Sequence, residues 1–93
     1  MEIKKVKGKK IKPVMLYALS TCVWCKKTKK FLEDLGVEYD FIFVDMEKGD
    51  DAAKLEKEIE KWNPEGGFPT IVIDNKECIV GFKPDDIKEK LGV

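Results

Sequence analysis

The sequence predicts an α/β fold with the element order β-α-β-α-β-β-α, a four-stranded mixed sheet with helices on both faces. Three observations lead there. Val14-Met15-Leu16-Tyr17-Ala18-Leu19 is an apolar run with no period-two alternation, as expected of a parallel strand covered on both faces. Two later stretches place apolar residues at helical spacing, one ending at Leu35 and one at Trp62. Thr70-Ile71-Val72-Ile73 and Glu77-Cys78-Ile79-Val80, joined by Asp74-Asn75-Lys76, read as a hairpin.

The elements follow in order. Residues 1–12 form a basic N-terminal extension ahead of the first strand. Ser20-Thr21 supply N-cap chemistry for a helix from about Cys22 to Leu35, and Gly36 is its natural C′ residue. Tyr39-Asp40-Phe41-Ile42-Phe43-Val44 reads as the second strand. Asp50-Asp51 open a second helix whose apolar stripe is Ala52, Leu55, Ile59 and Trp62, and Asn63-Pro64-Glu65-Gly66-Gly67 ends it. After the hairpin, Pro84-Asp85-Asp86 begin a short last helix with Ile87 and Leu91 on its inner side. A parallel βαβ unit followed by a helix and an antiparallel hairpin accounts for the whole order. The expectation is a single domain over residues 1–93.

Composition narrows the chemistry. Eighteen Lys balance eighteen Asp and Glu, and the 93 residues contain no Arg, His or Gln. A His-based metal site, a Ser-His-Asp triad and a His proton switch are therefore excluded. Zero net charge argues against a nucleic-acid binder. No apolar run approaches the roughly 20 residues that span a bilayer, and the start Met1-Glu2-Ile3-Lys4-Lys5 does not resemble a secretory signal. The expected setting is the cytoplasm, with no membrane association. The neutral sum hides a dipole: residues 1–30 hold ten Lys against one Glu, and the remainder is correspondingly acidic. The run Lys4–Lys12 suits either a steering surface for an acidic partner or nucleic acid, or a solvated tail, and its lack of aromatic stacking groups favours the tail.

Three cysteines, Cys22, Cys25 and Cys78, are too few and too uneven for a disulfide-stapled framework. Thr21-Cys22-Val23-Trp24-Cys25-Lys26 falls at a strand-to-helix junction, and that position matters more than the spacing. At about 100° per residue, Cys25 joins the stripe of Thr28, Phe31, Leu32 and Leu35. Cys22 points away from it at the first turn, and Lys26, Lys27, Lys29 and Lys30 take the opposite face. A free thiol titrates near 8.5, so little thiolate exists at neutrality without help. Unpaired N–H groups at a helix start, its macrodipole and nearby Lys26 all favour a thiolate at Cys22. The pattern suits dithiol exchange: Cys22 attacks a substrate disulfide and Cys25 resolves the mixed disulfide. The competing reading is half of a zinc or iron–sulfur site, completed in a dimer because only Cys78 remains and His is absent.

Phe68-Pro69-Thr70 is the second element. Proline directly before a buried strand cannot donate a ladder bond, and a cis Phe68–Pro69 bond there would be a deliberate feature. An ordinary trans loop is the default for such a proline, and only its position beside the dithiol reverses that expectation. The Phe68 backbone is then placed to pair with an extended substrate segment. Cys78 reads as a packed strand residue, Trp62 as core, and Trp24 as either a cover for the dithiol or a substrate contact.

Together, Tyr17, Thr21-Cys22-Val23-Trp24-Cys25, Phe68-Pro69-Thr70 and Gly81-Phe82-Lys83-Pro84-Asp85 resemble the glutaredoxin branch of the thioredoxin superfamily, over roughly residues 13–92. The resemblance implies a thioredoxin-like fold, Cys22 as nucleophile, Cys25 as resolving thiol and Pro69 in the cis form. It also implies substrate contacts at Tyr17, Phe68, Pro69, Thr70, Gly81, Phe82 and Asp85, with Thr21, Trp24 and Lys26 in support. Three departures are informative. Val23-Trp24 stand where glutaredoxins usually have Pro-Tyr. Leu19 stands where glutathione-binding members often carry Lys, and Gly81-Phe82 replace a Gly-Gly pair. The segment Gly81–Asp85 looks more like the NrdH-redoxins, electron donors to ribonucleotide reductase that are recharged by a thioredoxin-reductase-type enzyme.

The resulting expectation is a monomeric thiol–disulfide oxidoreductase of protein disulfides, with no cofactor beyond its own dithiol and poor coupling to glutathione. Its potential would lie between about −270 and −200 mV. Asp85 and Asp86 are expected to cap the last helix.

Overall fold

The computed structural model describes residues 1–93. Its elements are β1 (Lys4–Val6), β2 (Val14–Ala18), α1 (Val23–Leu35), β3 (Tyr39–Phe43), a 3-10 turn (Val44–Met46), α2 (Gly49–Trp62), β4 (Thr70–Ile73), β5 (Glu77–Val80) and α3 (Pro84–Leu91). The sheet order is β1-β3-β2-β4-β5. β2 and β3 run parallel, and every other pairing is antiparallel. This is the α/β arrangement expected from the sequence, a thioredoxin-like fold, with one strand more than the four anticipated.

The missing alternation in β2 has a direct cause: both of its faces are buried. Val14, Leu16 and Ala18 point into the larger core cluster with Leu32 of α1 and with Ile87 and Leu91 of α3. Tyr17, on the other face, packs with Ile42, Val72 and the α2 residues Leu55 and Ile59. Trp62 is half-buried at the margin of that second cluster rather than central to it. Helices thus cover both faces, α1 and α3 on one and α2 on the other.

The extra strand corrects the reading of residues 1–12 as a tail. Lys4, Lys5 and Val6 pair with Phe41, Asp40 and Tyr39 of β3. Val6 packs against the larger core, and the Lys5 ammonium lies 3.7 Å from Glu38 and 3.9 Å from Asp40. A three-residue strand with one inward side chain shows no periodicity, which is why it was not visible in the sequence. Its lysines suit an edge, where charge discourages pairing with another chain. Lys9 continues the attachment: its N–H donates to the Gly36 carbonyl at 2.8 Å, and its carbonyl accepts from the Glu38 N–H at 2.9 Å. Gly8 makes that approach feasible, since a Cβ there would sit 2.7 Å from both the Gly36 oxygen and the Val37 carbonyl carbon.

Two helix ends differ from expectation. α1 is capped by Cys22 itself rather than by Ser20 or Thr21. Asp85 and Asp86 lie in the first turn of α3, but Lys83 holds the cap position and no side chain caps that end. The two carboxylates act there only through the helix dipole.

Gly8→Ala should lower stability by about 1–3 kcal/mol, the usual cost of forcing an atom into a closed contact. Urea unfolding measures it, and an unchanged midpoint would mean that the N-terminal segment is not docked as described.

Candidate functional site

The site begins where β2 ends. Ala18 is the last residue of β2, and the chain then passes through Leu19, Ser20 and Thr21 to Cys22, whose extended backbone (φ −84°, ψ 120°) starts α1. The Cys22 N–H donates to the Leu19 carbonyl at 3.2 Å, closing a tight turn. Cys22 Sγ in turn accepts the Cys25 N–H at 3.2 Å. One of the otherwise unpaired donors of the helix start is thereby aimed at a sulfur, an arrangement that supports negative charge on it.

The two thiols, both free, sit in contrasting surroundings. Cys22 is half-buried, whereas Cys25 is only 1% exposed and belongs to the larger core cluster. Burial above all, then the contact with Cys22, pushes the Cys25 thiol up to about 12, and a backbone contact with Leu19 works weakly against that shift. One sulfur is presented and its neighbour is kept protonated beneath it.

The turn before β4 completes the floor. Tyr17 pairs with Thr70 across β2 and β4, so the antiparallel register sets Phe68-Pro69 beside Ala18-Leu19. The Phe68–Pro69 peptide bond is cis. Pro69 is buried, and its carbonyl accepts the Gly81 N–H at 2.8 Å. Asn63, a buried residue to which the sequence reading gave no role, organises this turn. Its side-chain amide donates to the carbonyls of Gly66 (2.8 Å) and Gly67 (3.3 Å) and to Thr70 Oγ1 (3.2 Å). Thr70 Oγ1 donates onward to the Gly67 carbonyl at 2.8 Å. Such a network is costly to break in a dry interior, and the only hint in the sequence is a polar residue between a helix and the stretch Pro64-Glu65-Gly66-Gly67.

The residues singled out in the sequence therefore divide. Cys22, Val23, Trp24 and Phe82 gather at the start of α1. Val23 and Trp24 are 62% and 55% exposed. Trp24 stacks on Phe82 with ring centroids 6.1 Å apart, Phe31 meets Phe82 edge-on at 5.9 Å, and Lys27 Nζ lies 4.5 Å over the Trp24 ring. Phe68 is half-buried and packs against both core clusters. Thr21, Lys26 and Asp85 are exposed, and Gly81 is half-exposed.

Tyr17 and Thr70, both expected as substrate contacts, are buried: Tyr17 is 6% exposed within the α2-side cluster, at the wall of a groove shared with Met15 and Trp62, and Thr70 is fully buried with its hydroxyl committed to the Gly67 carbonyl. Trp24 stands outward on Phe82 rather than lying over Cys25. Cys78 is half-buried on β5, and burial pushes its thiol up.

Asp45 is a further residue that sequence reasoning passed over. Its carboxylate accepts the Ser20 N–H at 2.9 Å and the Ser20 hydroxyl, just ahead of Cys22. Those bonds from Ser20 hold the Asp45 carboxyl below its usual range. No three metal-ligating side chains converge anywhere in the chain. A metal held by Cys22 and Cys25 would have to draw its remaining ligands from a second chain, as that reading supposed. No helix is long and apolar enough to cross a membrane.

Comparison with known proteins agrees with this geometry. The family model described as Glutaredoxin matches residues 14–79. A glutaredoxin-like 8.6 kDa protein encoded in the rubredoxin operon of Clostridium pasteurianum is 36% identical over 74 residues, covering 80% of this chain and 91% of that protein. Among solved structures, the glutaredoxin from Methanosarcina mazei superposes with a TM-score of 0.91 at 45% identity, covering 98% of this chain and 88% of its own. The methanoredoxin of Methanosarcina acetivorans gives 0.88 at 43% identity, covering 92% and 90%. With a Cys-x-x-Cys pair suited to thiol–disulfide oxidoreductase chemistry at its helix start, the chain belongs to the glutaredoxin family.

Proposed function

We propose that the protein is a dithiol electron carrier that reduces protein disulfides in the cytoplasm, acting as a monomer and recharged by a reductase enzyme rather than by glutathione. The observation that carries this reading is the asymmetry of the dithiol, with Cys22 half-buried and its Sγ held on the Cys25 N–H, and Cys25 fully buried and protonated. The Cys22 thiolate attacks one sulfur of a substrate disulfide. The other substrate sulfur leaves with the bonding pair and takes up a proton. Cys25 then gives up its proton and attacks Cys22 Sγ, and the second substrate sulfur departs with its electron pair and a proton. Two electrons and two protons reach the substrate, and a Cys22–Cys25 disulfide remains. Both sulfurs come from the chain itself, so the cycle needs no other cofactor.

Two surfaces flanking Cys22 support a protein substrate. Val23, Trp24 and Phe82 form an outward aromatic and apolar patch of the kind that anchors protein contacts. Phe68, Gly81 and Asp85 complete the substrate side in this reading, with the buried Pro69 as the floor beneath them. On the other flank, a groove of about 610 Å³ is bounded by Leu19 and Phe68 and lined by Asp45, Glu47, Glu56, Glu60 and Glu65, with no lysine among its lining residues. Glutathione carries two carboxylates against one ammonium, a net negative charge that such a groove repels. The absence of a lysine at Leu19 acts in the same direction. The likeness of Gly81–Asp85 to NrdH-redoxins makes a disulfide of ribonucleotide reductase a suitable target and a thioredoxin-reductase-type enzyme a suitable donor.

Three outcomes test this reading. Cys22→Ser should abolish insulin reduction, while Cys25→Ser should accumulate a mixed disulfide visible by mass spectrometry; equal partial losses in both variants would refute the assignment. Reduction of the oxidised protein should proceed readily with a thioredoxin-reductase-type enzyme and slowly with millimolar glutathione, and rapid recharging by glutathione alone would overturn the donor assignment. The third concerns pH. The folded protein keeps the Cys25 proton up to about 12, whereas an unfolded chain releases it near 8.5. Between those values the folded state binds the extra proton, so its stability falls as pH rises. Urea midpoints under reducing conditions should decline more steeply above pH 9 for the wild type than for Cys25→Ala.

A further inference from the structure

We propose that Asp45 is a positioning residue for the exchange reaction, clamping Ser20 and so fixing the loop that delivers Cys22 to the start of α1. The inference rests on the dithiol reading above and adds a residue to it. β2 and β3 are parallel, with Ala18 opposite Phe43. Two residues beyond that pair β2 turns toward α1 and β3 bends into the 3-10 turn, so Ser20 and Asp45 come side by side. The Ser20 N–H donates to Asp45 Oδ1 at 2.9 Å, and the Ser20 hydroxyl donates to Oδ2. Each carboxylate oxygen thus holds one group of a single residue, main chain and side chain together. That residue lies inside the turn closed by the Cys22 N–H on the Leu19 carbonyl. Fixing Ser20 therefore fixes the direction from which the chain enters the helix, and with it the placement of Cys22 Sγ.

The clamp is chemically specific. Asp45 is exposed and Ser20 half-buried, and both bonds lie at the surface, so they add little to global stability. No lysine lines the groove beside Asp45, whose acidic neighbours are Glu47, Glu56, Glu60 and Glu65. Ser20 is accordingly the partner that holds this carboxylate. The same charge acts on the resolving sulfur. The titratable groups acting on Cys25 are Cys22, from the turn before it, and Asp45, from the 3-10 turn after β3, and both favour its protonated form. Asp45 thereby steadies the attacking sulfur and restrains the second until a mixed disulfide has formed.

The experiment follows single turnovers of the reduced protein with a fluorophore-labelled peptide disulfide. It separates the attack step from release of the second peptide across a pH series. Asp45→Asn and Asp45→Ala should slow attack about five- to tenfold, as expected when a reacting group loses its placement. Ser20→Ala should slow it less, and Ser20→Thr, which keeps both donors, should restore the wild-type rate. The pH midpoint of the release step should move down in both Asp45 variants, because removing a negative charge eases formation of the Cys25 thiolate. It should stay in place in Ser20→Ala. Thermal midpoints identify any variant that fails to fold, and the Ser20 pair then decides the matter. Unchanged attack rates in Ser20→Ala and in folded Asp45 variants, with an unmoved release midpoint, would overturn the proposal. A wild-type protein that reduces no disulfide would instead remove the dithiol reading, and this inference with it.

Discussion

The contact between the Cys25 N–H and the Cys22 sulfur, 3.2 Å long, is the interaction on which the functional geometry depends. It exists because α1 starts at Cys22 and not one residue earlier or later. A start displaced by one residue would rotate the helix face by about 100°. Cys25 would then leave the core stripe, and the contrast between a presented and a covered thiol would disappear. The helix is fixed at its other end as well. Gly36 adopts φ 72°, and its N–H closes on the carbonyls of Leu32 and Glu33. Position at one end and termination at the other hold thirteen residues in register with the sheet.

Burial does the rest, and it does so unevenly. The cluster beneath α1 and α3 contains Cys25 together with Leu16, Ala18, Leu32 and Ile71, none of which is more than marginally exposed. A thiolate placed there would lose its hydration without gaining a counter-charge, so the second sulfur stays protonated until a disulfide bond draws it into reaction. Phe68 packs against both core clusters. Through that side chain the turn before β4 is tied to both layers, and the floor of the site inherits the rigidity of the sheet. The Asn63 amide secures the same turn from the α2 side.

Much of this was legible in the sequence, for identifiable reasons. An apolar run without alternation, two amphipathic segments and a β-branched hairpin are long-range patterns, and each reported an element that exists. The different fates of the two cysteines followed from helical angle alone. What escaped was local or depended on register. β1 has one inward residue and so no period. Substrate contacts at Tyr17 and Thr70 are what the family resemblance implies, and a resemblance carries over positions without saying how deeply each side chain is buried in a strand covered on both faces. Asn63 and Asp45 act on partners 7 and 25 positions away, and nothing in a linear reading pairs them until the strands are aligned. The N-cap was assigned to the residues best suited to capping in general, yet a cysteine took it, which is the kind of local exception expected at a reactive site.

The uneven spread of charge along the chain becomes an orientation device once the chain is folded. The lysines of residues 26–30 lie on α1, on one side of Cys22, where Lys27 covers Trp24 and Lys29 lies 4.1 Å over the Phe41 ring. The groove bounded by Leu19 and Phe68, on the other side, is lined by carboxylates. In the proposed exchange, a substrate approaching Cys22 would meet basic and aromatic groups on the α1 flank and carboxylates on the other. Such a field does little for a small symmetric disulfide but turns a large partner with an uneven charge of its own before contact, which raises the fraction of encounters that are productive. Its reach at physiological ionic strength is about 8 Å, enough to span the immediate surroundings of one cysteine and little more. Selection by this field thus acts on the residues flanking a partner's disulfide rather than on the partner's net charge.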